Sequence, residues 1–290
     1  MIEPENNFPI GFYREFLEKI DKLEIEVITY DDLFQECDDR DHESYFEEEF
    51  LTWKENRDPD KRYLLIQHDV DNSPRLTEEV VRLEMEFGVR SNIFIFASRW
   101  SLTENPAPYS VNHQFLQDAE QRGFVIGYHQ NALQLSNFDV EEATKRFEAD
   151  VYQLRKMYNI NYVVPHGGKG TTVNGTVIHN KDLNIPESLR SSLRWVYNKY
   201  GMKFSHRISD GGLRKCTDVE RLHQLNLTEN FLPSIELGKR GFVLTHPQRW
   251  GTNVDPSFTP LLASLPWYKK MCKRHNVLPK SIKPPQSADI

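Results

Sequence analysis

Two aspartates with one residue between them, Asp69 and Asp71, end an apolar run in the sequence. The continuous apolar residues 63–66 show no helical period, and this predicts a buried β-strand. Side chains at positions i and i+2 of a strand share a face, so both carboxylates should leave the strand end in the same direction. A single aspartate there is often a helix cap or a turn residue. Two carboxylates on one face repel unless they share a cation or a proton, so the pair favours a metal-linked site.

Three histidines downstream of this pair each follow an apolar, strand-like run: His129, His166 and His246. A single histidine at a strand end is more often a structural residue than a ligand. Chance would rarely place three of them at the same topological position. One carboxylate and two imidazoles are a common ligand set for a catalytic Zn²⁺ or a similar ion. The remaining carboxylate and histidine could then act as general base and general acid.

The elements that must position these residues alternate between strands and helices from residue 62 to about residue 250. After the first strand, further strands are predicted at 92–97, 124–128, 161–164, 203–208 and 241–245, and helices at 73–87, 111–122, 140–158 and 187–200. Ser73 is a plausible N-cap, and Gly88 is placed to end the first of these helices. The alternation predicts parallel strands joined by crossover helices, which is the α/β class. Residues 1–61 read as an extension with one helix and one strand.

Composition narrows the class of partner. The chain has 290 residues, enough for one large domain or two small ones, and its net charge of −7 argues against a nucleic-acid groove. Its three cysteines form no CxxC pair, so neither a disulfide framework nor a thiolate zinc site is predicted. No apolar run is long enough to span a membrane, and the first residues do not resemble a signal peptide. The simplest expectation is a cytoplasmic protein with no evident protein partner.

The motifs resemble, in this order, those of the polysaccharide deacetylases (NodB-homology, carbohydrate esterase family 4) over residues 62–250. The similar segments are His68-Asp69-Val70-Asp71, Ser91-Asn92-Ile93-Phe94-Ile95-Phe96, Gly127-Tyr128-His129, Pro165-His166-Gly167 and Leu244-Thr245-His246. The resemblance implies that Asp69 is the catalytic base, Asp71 a metal ligand and His246 the catalytic histidine that acts as general acid.

Two departures from the family pattern affect the expected site. Leu133 stands where the family has the second histidine of its His-x-x-x-His motif, and His166 could supply the missing imidazole. The expected ligand set is therefore Asp71, His129 and His166 around one divalent ion, with Zn²⁺ as first choice and Co²⁺, Ni²⁺ or Mn²⁺ as alternatives. The family's third-motif arginine is also absent, and candidates to replace it are Arg207, Arg214 and Arg249.

The resemblance implies a distorted (β/α) barrel over residues 62–278, with the N-terminal extension 1–61 packed on it and an irregular tail at 279–290. The expected reaction is metal-dependent removal of an N-acetyl or similar acyl group from an amino sugar, in the synthesis of surface polysaccharide or lipopolysaccharide precursors. The departures leave two alternatives open: a non-catalytic carbohydrate-binding member of the fold, or a metal-dependent amidase that acts on a non-sugar substrate.

Three further residues are candidates for substrate contact: Asp210, Arg249 and Trp250. Asp210 could bind substrate or orient His246, although Asp-Gly-Gly is also ordinary turn chemistry. Trp250 could stack on a sugar ring, or it could belong to the core. The polar insertion 171–182 could cover the site as a lid.

Overall fold

A parallel β-sheet flanked by helices forms the centre of the protein in the computed structural model. The structure describes residues 7–34, 57–99, 106, 109–168, 170–173, 175–196, 204–213, 216–252, 254 and 259–277. The strands are β1 (Phe8–Pro9), β2 (Ile25–Ile28), β3 (Arg62–Val70), β4 (Asn92–Ile95), β5 (Val125–Gln130), β6 (Tyr162–Pro165), β7 (Thr171–Val173), β8 (Thr176–Ile178), β9 (Arg194–Trp195), β10 (His206–Ser209), β11 (Arg240–Thr245) and β12 (Trp250–Gly251).

The helices lie mainly between successive strands of this sheet. They are α1 (Ile10–Lys22), α2 (Tyr30–Phe34), α3 (Pro74–Glu86), α4 (His113–Gln121), α5 (Ala132–Leu135), α6 (Val140–Leu154), α7 (Val219–Gln224), α8 (Leu232–Ser234), α9 (Pro260–Ser264) and α10 (Pro266–Arg274), with 3₁₀ turns at Asn180–Asp182, Glu187–Leu189 and Pro247–Arg249 and a π-helical turn at Leu227–Phe231. Among the described helices, none has the length and apolar content that crossing a bilayer requires.

The main sheet has the strand order β10–β11–β3–β4–β5–β6–β9, and all of its pairs are parallel. β2 pairs with the first half of β3, and β4 pairs with the second half of the same strand. The sheet curls into a half-barrel. The predicted α/β class with parallel strands is therefore confirmed.

Strand β3 lies in the interior of the sheet, between two apolar layers. Leu64 and Ile66 pack in a cluster with the N-terminal helix α1, whereas Leu65 packs in the cluster on the opposite face. All three side chains have no exposed surface. Burial on both faces explains why the strand is continuously apolar rather than alternating.

Two of the predicted helix boundaries can be compared with the structure. Ser73 precedes α3 in the N-cap position, but its φ is +63° and its side chain caps no backbone N–H. Gly88 has a φ of +66° directly after the helix, where a left-handed residue ends the helical turn as predicted.

The predicted helix 187–200 is wrong. The described part of this segment contains a 3₁₀ turn and the short strand β9, which pairs with β6. The backbone N–H of Arg194 donates to Asn161 O (2.8 Å), and that of Val196 donates to Val163 O (3.0 Å). Pairing at the sheet edge therefore overrides the helical preference of the segment.

The N-terminal segment is attached to the main sheet in two ways. β2 hydrogen-bonds to β3, and β1 pairs in parallel with β12, which follows the last strand of the sheet. The division of the chain at residue 61 remains a prediction. The predicted tail 279–290 lies outside the described residues.

Candidate metal centre

Four strands of the sheet, β3, β5, β6 and β11, bring the sequence-predicted residues to one rim. Asp69 is in β3 and Asp71 follows that strand, His129 is in β5, His166 follows β6 and His246 follows β11. Because these strands are parallel, their C-terminal ends lie at the same edge of the sheet, where α/β proteins place their sites.

Asp71, His129 and His166 form a group that could hold a metal ion. One ligand atom from each of them lies within 4.8 Å of the other two. Asp71 Oδ1 is 3.4 Å from His129 Nε2 and 3.9 Å from His166 Nε2. In a tetrahedral site with ligand bonds of about 2.0–2.2 Å, ligand atoms lie roughly 3.3–3.6 Å apart, so the three side chains would move closer together to hold one ion.

Hydrogen bonds around this group leave the required ligand atoms available. Gln248 Nε2 donates to Asp71 Oδ2 (3.1 Å), whereas Asp71 Oδ1 is buried and has no hydrogen-bond partner. His166 Nδ1 lies 3.3 Å from Gln134 Oε1, an acceptor that places the ring proton on Nδ1 and leaves the Nε2 lone pair free. A buried carboxylate oxygen that faces two imidazole nitrogens fits a cation.

The pKa values of these groups follow from burial opposed by close charges. Burial would raise the pKa of the Asp71 carboxyl, but the imidazoles of His129, His246 and His166 outweigh it and hold the pKa well below its usual range. Burial lowers the pKa of His166 to about 4. His166 is therefore neutral near pH 7, which is the state that binds a metal.

The Asp69 carboxylate is fixed by a hydrogen bond from Gln67, two residues earlier in the same strand. Gln67 Nε2 donates to Asp69 Oδ1 (2.7 Å), and Tyr30 O–H donates to Gln67 Oε1 (2.7 Å). The tyrosine donor fixes which way the Gln67 amide points. Asp69 Oδ2 lies 3.9 Å from His129 Nε2, on the side of the candidate metal ligands.

Asp210 orients His246. Its Oδ1 lies 2.6 Å from His246 Nδ1, and its Oδ2 accepts the backbone N–H of His246 (3.0 Å). Asp210 is 2% exposed. With Nδ1 engaged, Nε2 is the nitrogen directed into the site, 4.0 Å from Asp71 Oδ2. This geometry favours the orienting role over substrate contact.

Burial would lower the pKa of His246, but Asp210 outweighs it, with help from Asp71 and Asp69, and raises the pKa to about 9. His246 therefore carries a proton at neutral pH and can donate it from Nε2. This is the state that a general acid requires.

The expectation that Trp250 stacks on a sugar ring is wrong. Its side chain is 2% exposed and stacks on Phe8, with ring centroids 4.9 Å apart, while Tyr13 contacts it edge-on. The indole belongs to the core that attaches the N-terminal helix to the segment after His246. Pairing of β12 with β1 buries Trp250 in this core, and no local sequence pattern predicts a contact between segments so far apart in the chain.

A cavity of about 330 Å³ contains Asp69, Asp71 and the three histidines in its wall. Arg207 and Arg249 also line it, whereas Arg214 lies outside the described residues. Arg249 Nη1 donates to Asn7 Oδ1 (2.9 Å). The apolar part of the wall is formed by Val164, Val196, Phe204, Phe242 and Leu244. A smaller cavity of about 210 Å³ shares Asp71 and His166 with the first.

Four amide side chains that the sequence analysis missed support the site: Gln67, Gln134, Asn180 and Gln248. Gln67 had a local signal, because it is a polar residue two positions before Asp69 in an apolar strand. Gln134 follows Leu133, which is 1% exposed and packs in the core. Asn180 Nδ2 donates to His166 O (3.2 Å), so the insertion predicted as a lid is attached to the site.

No protein-family model and no curated protein match the sequence. Among solved structures, the chain is similar to the Streptococcus pyogenes deacetylase PplD in complex with acetate, at a TM-score of 0.34 and 9% sequence identity. The alignment covers 58% of this chain and 66% of that chain, just under two thirds of its length. A likeness of this size carries no argument about activity, so the chemistry rests on the residues themselves.

We predict that the protein binds one equivalent of Zn²⁺ and that Asp71→Ala and His166→Ala each weaken binding by at least about 100-fold. Loss of a residue that merely supports a ligand already costs roughly 10–100-fold. Isothermal titration calorimetry and metal analysis of the purified protein measure both effects. His223→Ala, an exposed histidine on α7, is the matched control and should bind like the wild type. Wild-type affinity in His166→Ala would remove that residue from the ligand set.

Proposed function

We propose that the protein is a metal-dependent amide hydrolase that removes an N-acetyl or similar acyl group from an amino sugar, as a divergent polysaccharide deacetylase. One observation carries the proposal: a carboxylate–imidazole–imidazole cluster lies between a second carboxylate, Asp69, and a carboxylate-paired imidazole, His246. Hydrolysis of an amide needs a base for water and an acid for the leaving amine, and these two residues supply them.

Asp71, His129 and His166 are the residues that would hold the ion. A divalent metal at such a site supplies a Lewis acid that polarises a carbonyl and lowers the pKa of water. The neutral state of His166 and the ionised state of Asp71 suit this role. Zn²⁺ is the first choice for a set of one oxygen and two nitrogen ligands, with Co²⁺, Ni²⁺ and Mn²⁺ as alternatives.

Asp69 is the proposed base. Its Oδ1 is occupied by the Gln67 amide, so Oδ2 is the oxygen that can take a proton from water. The same hydrogen bond and the strand backbone fix the carboxylate, so little reorganisation is needed when the proton moves. Asp69 stays separate from the ligand set because Asp71, two residues later, already faces both imidazoles.

His246 is the proposed general acid. Asp210 holds the ring through Nδ1 and keeps it protonated, and Nε2 then gives its proton to the leaving amine. His246 and Asp69 line the same cavity, so both can reach one bound amide. The arrangement follows the logic by which a buried carboxylate orients a catalytic histidine.

The cavities support an extended polar substrate. Two of them meet at Asp71 and His166, so a substrate longer than one sugar could lie across the metal centre. Arg207 and Arg249 provide positive charge in the larger cavity. A nucleotide- or lipid-linked amino sugar, as used in the cytoplasm to assemble surface polysaccharide or lipopolysaccharide, combines these features.

A second candidate is a metal-dependent amidase that acts on a non-sugar substrate. The apolar part of the cavity wall favours it, because a non-sugar acyl or amine group would pack there, and Trp250, the tryptophan expected to stack on a sugar, is buried in the core. Release of acetate from N-acetylated amino sugars, compared with release from N-acetylated amines without a sugar, distinguishes the two candidates.

Asp69→Asn should keep the metal and lower kcat by at least about 100-fold, the usual scale for a positioned acid–base group. Acetate release and metal content are measured on the same Zn²⁺-loaded preparation. Asp118→Asn, on the exposed surface of α4, is the matched control and should keep wild-type turnover. Loss of metal in Asp69→Asn would exchange the roles of the two aspartates, and full turnover would exclude Asp69 as the base.

The pH dependence of kcat should report His246. Since the protonated imidazole is the active form, kcat should fall as pH rises through the raised pKa of about 9. Asp210→Asn removes the negative charge that raises this pKa, so the alkaline limb should move to lower pH. A profile of kcat against pH for both proteins tests this. An unmoved limb in a folded, metal-loaded Asp210→Asn protein would assign that limb to another group.

A further inference from the structure

A buried hydrogen-bond network lies directly behind the two proposed catalytic residues, on the opposite face of their strands. His68 precedes Asp69 and Thr245 precedes His246, and these two residues are register partners in β3 and β11. His68 Nδ1 lies 2.7 Å from Thr245 Oγ1. Because successive residues of a strand point to opposite faces, this contact fixes the two strands from outside the half-barrel.

Glu84 of α3 is the centre of the network. Its Oε1 accepts from Tyr13 O–H (2.7 Å) and lies 2.9 Å from His68 Nε2, and its Oε2 accepts from Ser91 Oγ–H (2.7 Å). These four side chains and that of Thr245 are at most 1% exposed. Burial, together with the neighbouring Glu84, raises the pKa of Tyr13 well above its ordinary value, so the phenol stays protonated and donates.

The order carboxylate, imidazole, hydroxyl in Glu84, His68 and Thr245 is that of a nucleophilic triad. Burial excludes that use. Thr245 is 1% exposed, and none of the three residues lines either cavity at the metal centre. A hydroxyl that substrate cannot reach can still hold its strand in place.

We propose that Glu84, His68 and Thr245 are positioning residues that set the distance between Asp69 and His246. Glu84 anchors the His68 ring to α3 and, through Tyr13, to α1, and the ring in turn holds the Thr245 hydroxyl. Asp69 directly follows His68, and His246 directly follows Thr245, so the position of each depends on this contact. Misplacement of reacting groups by about 1 Å can cost roughly 100-fold in rate. Loss of a hydrogen bond in this network should therefore slow the reaction.

The kinetic test of this positioning role rests on the proposed function. Thr245→Val removes the hydroxyl at nearly constant size, and Thr245→Ser restores it. Glu84→Gln replaces one acceptor oxygen by a donor where the network needs two acceptors. Thr228→Val removes a buried hydroxyl that contacts Asn226, with no hydrogen bond to β3 or β11, and is the matched control.

The variants are compared as Zn²⁺-loaded proteins for kcat, KM, metal content and thermal unfolding. Thr245→Val and Glu84→Gln should lower kcat at least about tenfold with KM within about twofold and full metal content. Thr245→Ser should return most of kcat, and Thr228→Val should lose only stability. A merely structural network would lower the unfolding temperature and leave kcat of the folded protein unchanged, and that result overturns the proposal.

If the wild type hydrolyses no amide, the proposed function fails and the Co²⁺-loaded proteins decide the positioning role. Asp71 follows β3 two residues after Asp69, so a displaced strand end should change the visible absorption of bound Co²⁺. A spectrum that differs from the wild type in Thr245→Val but not in Thr228→Val supports the positioning role. Identical spectra in the wild type and all four variants contradict it.

Discussion

The parallel register between β3 and β11 determines where the two proposed catalytic residues lie. His68 pairs with Thr245 in that register, and the residues after each of them, Asp69 and His246, then stand beside each other at the rim. Alternation along β3 sends Asp69 into the half-barrel and His68 out of it. The same strand pairing therefore places the proposed catalytic residues on the inner face of the sheet and the His68 network on the outer face, where the helices pack.

The carboxylates and imidazoles at this rim stabilise one another's charged forms. Asp69, Asp71 and Asp210 are brought together with His129, His166 and His246, and each buried carboxylate has an imidazole or an amide close by. Burial opposes the charged forms of Asp71, His129, His166 and His246. Close imidazoles keep Asp71 ionised and Asp210 keeps His246 protonated, whereas burial leaves His166 neutral. Neighbouring histidines are thereby held in different protonation states, which suits the different roles proposed for them.

Residues that end apolar runs could be located from the sequence, because strand ends meet wherever strands are parallel. Asp71, His129 and His166 were found in this way. Gln248 and Glu84 could not be found, since each acts through contacts between segments far apart in the chain. Trp250 and the segment 187–200 were misjudged for the same reason: pairing of β12 with β1 and of β9 with β6 decides their environment.

The central claim is that one divalent ion lies between Asp71, His129 and His166, with Asp69 and His246 beside it but unbound. Anomalous diffraction at the zinc edge from crystals of the Zn²⁺-loaded protein tests it most directly. We expect one strong peak about 2.0–2.2 Å from a carboxylate oxygen of Asp71 and from one nitrogen of each of His129 and His166. No peak at this rim, or a peak ligated by Asp69 with His166 turned away, would contradict it.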